Sequence, residues 1–328
     1  MKNREDLMRV SRGFWPSRAI LTATELDVFR AIGRGRRPAA AVAAKVGADP
    51  RATGLLLSAL AGIGVLAKEK DRYYLPEPMR PLLTDGPAGA LGMLAHHARL
   101  WESWNGLTRA VRTGRPAPRR GGPRRGPEAA RAFTLAMRDG ARLIAPEVAA
   151  EIDLADRRLL LDLGGGPGVY AAAFARRFPD LRVVVVDMPD VVSVAKELLR
   201  SEKDVRDRVG FHGADLNTGS LPDGADAAFL SHVIHSEPEK NLPRLFGRIR
   251  GALSADGLLV VRDFFLDEDR VSPPSASLFA LNMLVNTDGG RTYTAKEVRE
   301  WLLGAGFRTA RFRRSKAVPD TGYVLARA

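Results

Sequence analysis

At 328 residues the chain is long enough for one large or two medium domains with real cores, which excludes a peptide or a small stapled module. Cysteine is absent, so disulfides, thiolate metal sites and a cysteine nucleophile are excluded and no oxidising compartment is implied. The formal net charge of +13 raises the question of a nucleic-acid partner, but much of the excess lies in residues 112–125, where Arg115, Arg119, Arg120, Arg124 and Arg125 stand among Gly and Pro with no aromatic residue for bases to stack on. That stretch reads as a solvated loop that binds polyanions without specificity.

Residues 1–6 do not resemble a signal peptide, and no apolar stretch approaches the roughly twenty residues that span a bilayer, so a cytoplasmic protein with no membrane partner is expected. Residues 7–32 carry apolar side chains at helical spacing and stop at Gly33-Arg34-Gly35. A second helix follows over residues 39–46. Asp49-Pro50, an N-cap and a first-turn proline, then opens a third that ends at Gly62 and Gly64. Residues 65–75 read as a two-stranded wing with a basic tip, completing a winged helix. A DNA-reading helix needs polar and basic side chains, yet residues 52–61 are almost wholly apolar. This module is expected to pack against protein and to serve dimerisation, with the 7–32 segment crossing to a partner subunit.

Residues 91–111 form a further helix bearing His96, His97, Trp101 and Trp104, and residues 128–150 another bearing Phe133 and Met137. Trp101 and Trp104, three apart, suit either core filling or the wall of an aromatic pocket. His96-His97 has no ligand spacing with a nearby carboxylate, and no metal site is expected.

Residues 159–163 read as a strand running into Gly164-Gly165-Gly166-Pro167-Gly168, and a second apolar strand, residues 183–186, ends in Asp187. This is the spacing of a nucleotide-binding βαβ unit, with a turn tight enough for a ligand to lie on backbone and on a helix N-terminus. A dinucleotide fingerprint wants its third glycine where Val169 stands, and the Gly-Lys-Ser/Thr ending of a P-loop is missing, so a nucleoside without a pyrophosphate fits better. S-adenosylmethionine is such a ligand, with Asp162 meeting its cationic end and Asp187 two ribose hydroxyls. Alternating helices and strands continue to the C-terminus, with strands at 209–212, 227–233, 258–263, 307–313 and 323–326, the mark of an α/β, Rossmann-like doubly wound sheet. Domains are expected at 1–90, 91–150 and 151–328.

Ligands of such sheets bind outside the carboxyl ends of the strands. There Asp215 is placed to take the adenine amino group, with Leu216 and Met188 on the two faces of the ring. After the fourth strand comes Ser231-His232-Val233-Ile234-His235-Ser236-Glu237. A hydroxyl that accepts a methyl group must lose a proton, and His235, nearer the helix start, is the better general base. His232 is assigned to packing against the cofactor or the core.

These residues, with Thr24-Glu25-Leu26-Asp27-Val28-Phe29, Trp101-Glu102-Ser103-Trp104-Asn105, Val186-Asp187-Met188-Pro189, Ala280-Leu281-Asn282-Met283-Leu284, Gly289-Gly290-Arg291-Thr292-Tyr293-Thr294 and Ala305-Gly306-Phe307, resemble the S-adenosylmethionine-dependent O-methyltransferases of the plant caffeate and acetylserotonin type and their bacterial natural-product relatives. The resemblance covers nearly the whole chain. It implies an interleaved homodimer, an N-terminal dimerisation domain, a small aromatic substrate and S-adenosylhomocysteine as product. It makes His235 the base, puts Gly164, Asp187, Met188, Asp215 and Leu216 on the cofactor, and makes Met283, Met137 and Trp104 pocket walls, to which Trp101, Phe133, Phe279 and Asn282 are added. Ser231 stands where plant members have a cofactor-contacting lysine.

Two departures matter. The plant pattern follows the histidine with Asp-Trp, here Ser236-Glu237, and flanks it with two glutamates, whose positions fall at Arg262 and Thr292. Asp263 and Glu237 are the remaining candidates for an acid beside His235, although neighbours along a strand face opposite ways. Without such an acid, a carbon methyltransferase or a non-methylating reaction on the same fold stays open. A winged-helix regulator or RNA methyltransferase rests only on the basic charge.

Overall fold

The computed structural model describes residues 1–86, 88–117 and 127–328, so Arg119, Arg120, Arg124 and Arg125 of the basic stretch lie outside the described residues. The chain divides into two compact units, residues 1–102 and 103–328.

In the first unit the 7–32 segment, read as at least one helix, is covered by three, α1 (Arg4–Ser11), α2 (Phe14–Glu25) and α3 (Val28–Ile32). The chain breaks at Arg12-Gly13 and again at Asp27, which takes a left-handed φ of 58°. β1 (Arg37–Pro38), α4 (Ala39–Val46) and α5 (Pro50–Gly62) follow, and the Asp49 carboxylate caps α5 by accepting the Ala52 N–H at 2.7 Å. β2 (Ala67–Glu69) and β3 (Arg72–Tyr74) complete a three-stranded antiparallel sheet in the order β1-β3-β2. Phe29, Ile32, Leu57, Leu60, Leu66 and Tyr73 form its core. Leu7, Val10, Phe14 and Trp15, by contrast, are each more than half exposed. α6 (Leu91–Trp104) ends before Asn105-Gly106, so the expected 91–111 helix is interrupted.

The second unit opens with α7 (Leu107–Thr113), which contains Arg112, followed by α8 (Pro127–Ala141) and α9 (Ala145–Glu151). Arg112 is therefore helical rather than part of a loop. β4 (Leu159–Leu163), α10 (Val169–Arg177), β5 (Arg182–Asp187), α11 (Pro189–Leu199), β6 (Val209–Gly213) and β7 (Ala225–Ser231) alternate. α12 (Leu242–Ala252), β8 (Leu253–Asp263), a short β9 (Phe265–Leu266), α13 (Pro274–Asn286), β10 (Tyr293–Thr294), α14 (Ala295–Gly304), β11 (Thr309–Arg314) and β12 (Gly322–Arg327) follow. The main sheet has seven strands in the order β6-β5-β4-β7-β8-β12-β11, and β12 runs antiparallel to both neighbours. β7 stops two residues short of the expected end because His232 adopts a left-handed φ of 57°.

Alternation along the strands feeds two separate cores. Leu160, Val183, Val185, Ala227, Phe229, Leu258 and Val260 pack with α9 and α10 on one face, and Leu161, Leu163, Ala228, Leu230, Leu259 and Val261 pack with α12 and α14 on the other. Phe229 lies fully buried edge-on to Tyr170 and Phe174, with ring centroids 5.4 and 5.1 Å away. Replacing it by alanine removes both contacts and opens a cavity below the glycine turn; a loss of about 3–5 kcal/mol in urea-unfolding free energy is expected for Phe229→Ala.

Candidate active site

β4 delivers the chain into the glycine turn. Gly164, Gly166 and Gly168 all have positive φ, at 67°, 53° and 74°, a region that side chains rarely adopt. A side chain at Gly164 would overlap Val233, with Leu216 close behind, and one at Gly168 would meet Leu199 at 2.6 Å. At Gly165 it would come within 2.7 Å of the Asp162 carboxylate. Asp162 is 1% exposed, and its Oδ2 has no hydrogen-bond partner. Burial, reinforced by the charge of Asp187 and opposed by the Ala171 N–H, pushes the Asp162 carboxyl up to about 7.

Asp187 accepts the Gly166 N–H at 2.8 Å and the Met188 N–H at 2.7 Å, and these bonds counter the burial that raises its pKa. Each oxygen keeps a lone pair for a further donor. Met188 is half exposed beside it. Beyond β6, Asp215 accepts the Asn217 N–H at 2.7 Å in an Asx turn. Arg248 of α12 donates to the carbonyls of Leu216 and Gly219, holding this loop from outside. The sequence showed Arg248 only as a residue of a helix face; its role depends on carbonyls thirty residues away that no local pattern reveals.

On the opposite side of β7, His235 and Asp263 meet. The contact between His235 Nδ1 and Asp263 Oδ1 is 2.7 Å, the length of a charge-assisted hydrogen bond. Asp263 is 1% exposed; burial raises its pKa, but the two facing histidines outweigh that and hold it well below the usual carboxylate range. As an anion it only accepts, so Nδ1 carries the proton of the Nδ1–Asp263 contact, and Nε2 has no hydrogen-bond partner among the described residues. Asp263 also accepts the Phe264 N–H at 2.8 Å. His232 Nδ1 is 3.6 Å from the same Oδ1, and burial holds His232 below the usual histidine range. The three ligand atoms lie within 4.8 Å of one another, a spacing compatible with a cation, although the shortest contact already holds a proton.

Two expectations are corrected here. Glu237 does not reach His235: its carboxylate accepts the side-chain amides of Asn217 at 3.0 Å and Asn241 at 3.1 Å. The acid position assigned to Arg262 is filled one residue later by Asp263. The pleat turns Arg262 away to Tyr170 and Ser231, whose hydroxyls accept from its Nη1 at 3.0 and 3.2 Å. Ser231 is thus occupied by Arg262. Thr292, fully buried, donates to the Ala276 carbonyl at 3.2 Å. Gly290 lies against the backbone of His235, since a side chain there would overlap the His235 carbonyl.

α13 presents one face to this centre. Phe279 meets the His235 ring edge-on with centroids 4.8 Å apart, and Asn282, one turn on, accepts the Trp104 indole N–H at 3.0 Å. Met283 is buried on the same helix. Phe133 and Met137 lie on α8, Phe133 half exposed. Trp101 belongs to the first unit, where the Arg18 guanidinium covers its ring at 5.7 Å.

A glycine turn, a strand-end acid and a His–Asp pair at the carboxyl edge of a seven-stranded sheet define a Rossmann-like methyltransferase. Residues 104–308 match the O-methyltransferase domain, and residues 8–84 the O-methyltransferase dimerisation domain. The chain belongs to the S-adenosylmethionine-dependent O-methyltransferase family. It is 33% identical to the tetracenomycin polyketide synthesis 8-O-methyltransferase of Streptomyces glaucescens, covering 93% of this chain and 92% of that one. It is likewise 33% identical to the acetylserotonin O-methyltransferase of Bos taurus, covering 98% and 96%. The structure of human N-acetylserotonin methyltransferase in complex with S-adenosylmethionine superimposes with a TM-score of 0.89 at 29% identity, over 100% of this chain and 98% of that one. Among the described residues, no helix is long and apolar enough to cross a membrane.

The raised Asp162 has a measurable consequence. The folded chain keeps this proton up to about pH 7 while the unfolded chain releases it near 3.8, so Asp162 makes the fold lose stability as pH rises between those values. Asp162→Asn removes that dependence. In ligand-free protein, the urea-unfolding free energy of the variant relative to the wild type is expected to rise by about 2–3 kcal/mol between pH 5 and pH 8.

Proposed function

We propose that the protein transfers the methyl group of S-adenosylmethionine to a hydroxyl of a small aromatic or polyketide-like molecule, with His235 as general base and S-adenosylhomocysteine as product. The His235–Asp263 contact beside the glycine turn carries this reading. The cofactor suits the residues present: Asp162 has a buried oxygen without a partner, and the turn is a cradle that any side chain at Gly164 would fill.

When bound, S-adenosylmethionine supplies an electrophilic methyl on a sulfonium centre. Asp162 and the backbone of Gly164, Gly165, Gly166 and Gly168 would hold its amino-acid end, and the spare lone pairs of Asp187 its ribose hydroxyls. Asp215 would take the adenine amino group, with Leu216 and Met188 flanking the ring and His232 packing nearby. His235 Nε2 takes the proton of the acceptor hydroxyl, and Asp263 stabilises the imidazolium that results. Phe279, Asn282 and Trp104 suit an aromatic acceptor, as do Met283 and Met137. The case for carbon methylation or a non-methylating reaction rested on a histidine without an acid, and Asp263 removes that ground.

Relatives named a tetracenomycin polyketide synthesis 8-O-methyltransferase and a 3-hydroxy-5-methyl-1-naphthoate 3-O-methyltransferase support an aromatic or polyketide-like acceptor. Methyl transfer from labelled S-adenosylmethionine to a panel of phenols is the direct test. His235→Ala is expected to lower kcat by about 10²- to 10⁴-fold while leaving S-adenosylhomocysteine affinity within about twofold. Asp263→Asn is expected to fall into the same range, because an amide donating to Nδ1 forces the proton onto Nε2. Full activity in His235→Ala would sink the assigned base.

The dimerisation-domain match and the exposed Leu7, Val10, Phe14 and Trp15 support a homodimer through the first unit. Phe14→Glu combined with Trp15→Glu is expected to shift sedimentation from dimer to monomer at micromolar concentration; an unchanged coefficient would move the interface elsewhere.

A further inference from the structure

Arg262 is 1% exposed and among the largest fully buried side chains, yet among the described residues no carboxylate lies within ion-pair distance of it. Burying a guanidinium without an anion is costly, and such groups persist where something compensates them. Its Nη1 is used by Tyr170 and Ser231, and its plane lies 5.5 Å from the Tyr170 ring. Among the described residues Nε is sealed off without a partner and Nη2 makes no hydrogen bond. The Nη2 N–H groups are thus the donors left for a ligand, and they suit an anionic acceptor such as a carboxylate.

Its place in the sheet says which carboxylate. Arg262 continues the row Leu258, Val260 on β8, Ser231 the row Ala227, Phe229 on β7, and Asp162 the row that begins with Leu160 on β4, all on the α10 face. Tyr170 stands in the first turn of α10, directly after the glycine turn, and its hydroxyl feels both charges, Arg262 favouring its ionisation and Asp162 opposing it. One face therefore carries a buried carboxylate oxygen without a donor and a buried cation without an acid. That pair complements a zwitterion, an ammonium and a carboxylate on one carbon.

Resting on the cofactor reading above, we propose that Arg262 grips the α-carboxylate at the methionine end of S-adenosylmethionine, opposite Asp162 at the ammonium, with Tyr170 and Ser231 holding its guanidinium in line. The acid-recognising charge then comes from β8, one strand beyond the serine at the end of β7.

Calorimetric titration of the full chain tests this with four ligands: S-adenosylmethionine, its decarboxylated form, S-adenosylhomocysteine and 5′-methylthioadenosine. The wild type is expected to bind S-adenosylmethionine about 10- to 100-fold more tightly than the decarboxylated form, the range for a hydrogen bond between charged groups. Arg262→Met should lose that factor for S-adenosylmethionine and S-adenosylhomocysteine, keep 5′-methylthioadenosine within about twofold, and bind the decarboxylated form unchanged; Arg262→Lys should recover part of the loss. A wild type indifferent to the carboxylate overturns the proposal without any variant, as does an Arg262→Met that weakens all four ligands equally. Failure of the wild type to bind any of the four would instead defeat the cofactor reading itself.

Discussion

At the carboxyl end of β8 two oppositely charged neighbours are both buried, and an extended backbone sends them to opposite faces of one sheet. Asp263 goes to the face of α12 and α14 and meets His235; Arg262 goes to the face of α10 and meets Tyr170 and Ser231. Adjacent opposite charges this deep could neutralise each other, but the pleat forbids it. Each must instead find its partner in a different layer, and that separation puts the His235–Asp263 pair and the Arg262–Tyr170–Ser231 cluster on different faces of the sheet. His232 completes the junction: its N–H bonds the Arg262 carbonyl at 2.8 Å, and its left-handed backbone turns the chain from β7 towards His235.

Charge is concentrated at this edge against the cost of burial. Asp162 and Asp263 are equally hidden, yet one is pushed up to about 7 and the other far down. The difference is the company each keeps: a second aspartate near Asp162, two imidazoles around Asp263. The same residue type at the ends of two strands is thereby set to opposite tasks, and neither task is visible from burial alone.

The parts of the protein that follow local rules could be read from the sequence. The glycine turn, Asp187 at the end of β5, the capped start of α5 and the strand–helix alternation all depend on residues within a few positions of one another. What depended on register did not come through. The pattern of the plant enzymes places the acid at Arg262, one residue before Asp263, and in a strand one place is the difference between two faces. Glu237 looked close to His235 by two residues, but the amides of Asn217 and Asn241 claim its carboxylate. The 7–32 segment, read as at least one helix, is divided at Gly13 and Asp27, while the helices expected over 91–111 and 128–150 are broken at Gly106 and between Ala141 and Ala145.

The Val233 side chain lies where a side chain at Gly164 would go, and only Ile234 separates it from His235. The cradle and the imidazole are therefore registered to each other through a single short stretch of chain, without reference to the helices that line the far side of the centre. Positions on α13 such as Phe279 and Asn282 can change shape or polarity while that registration stays as it is.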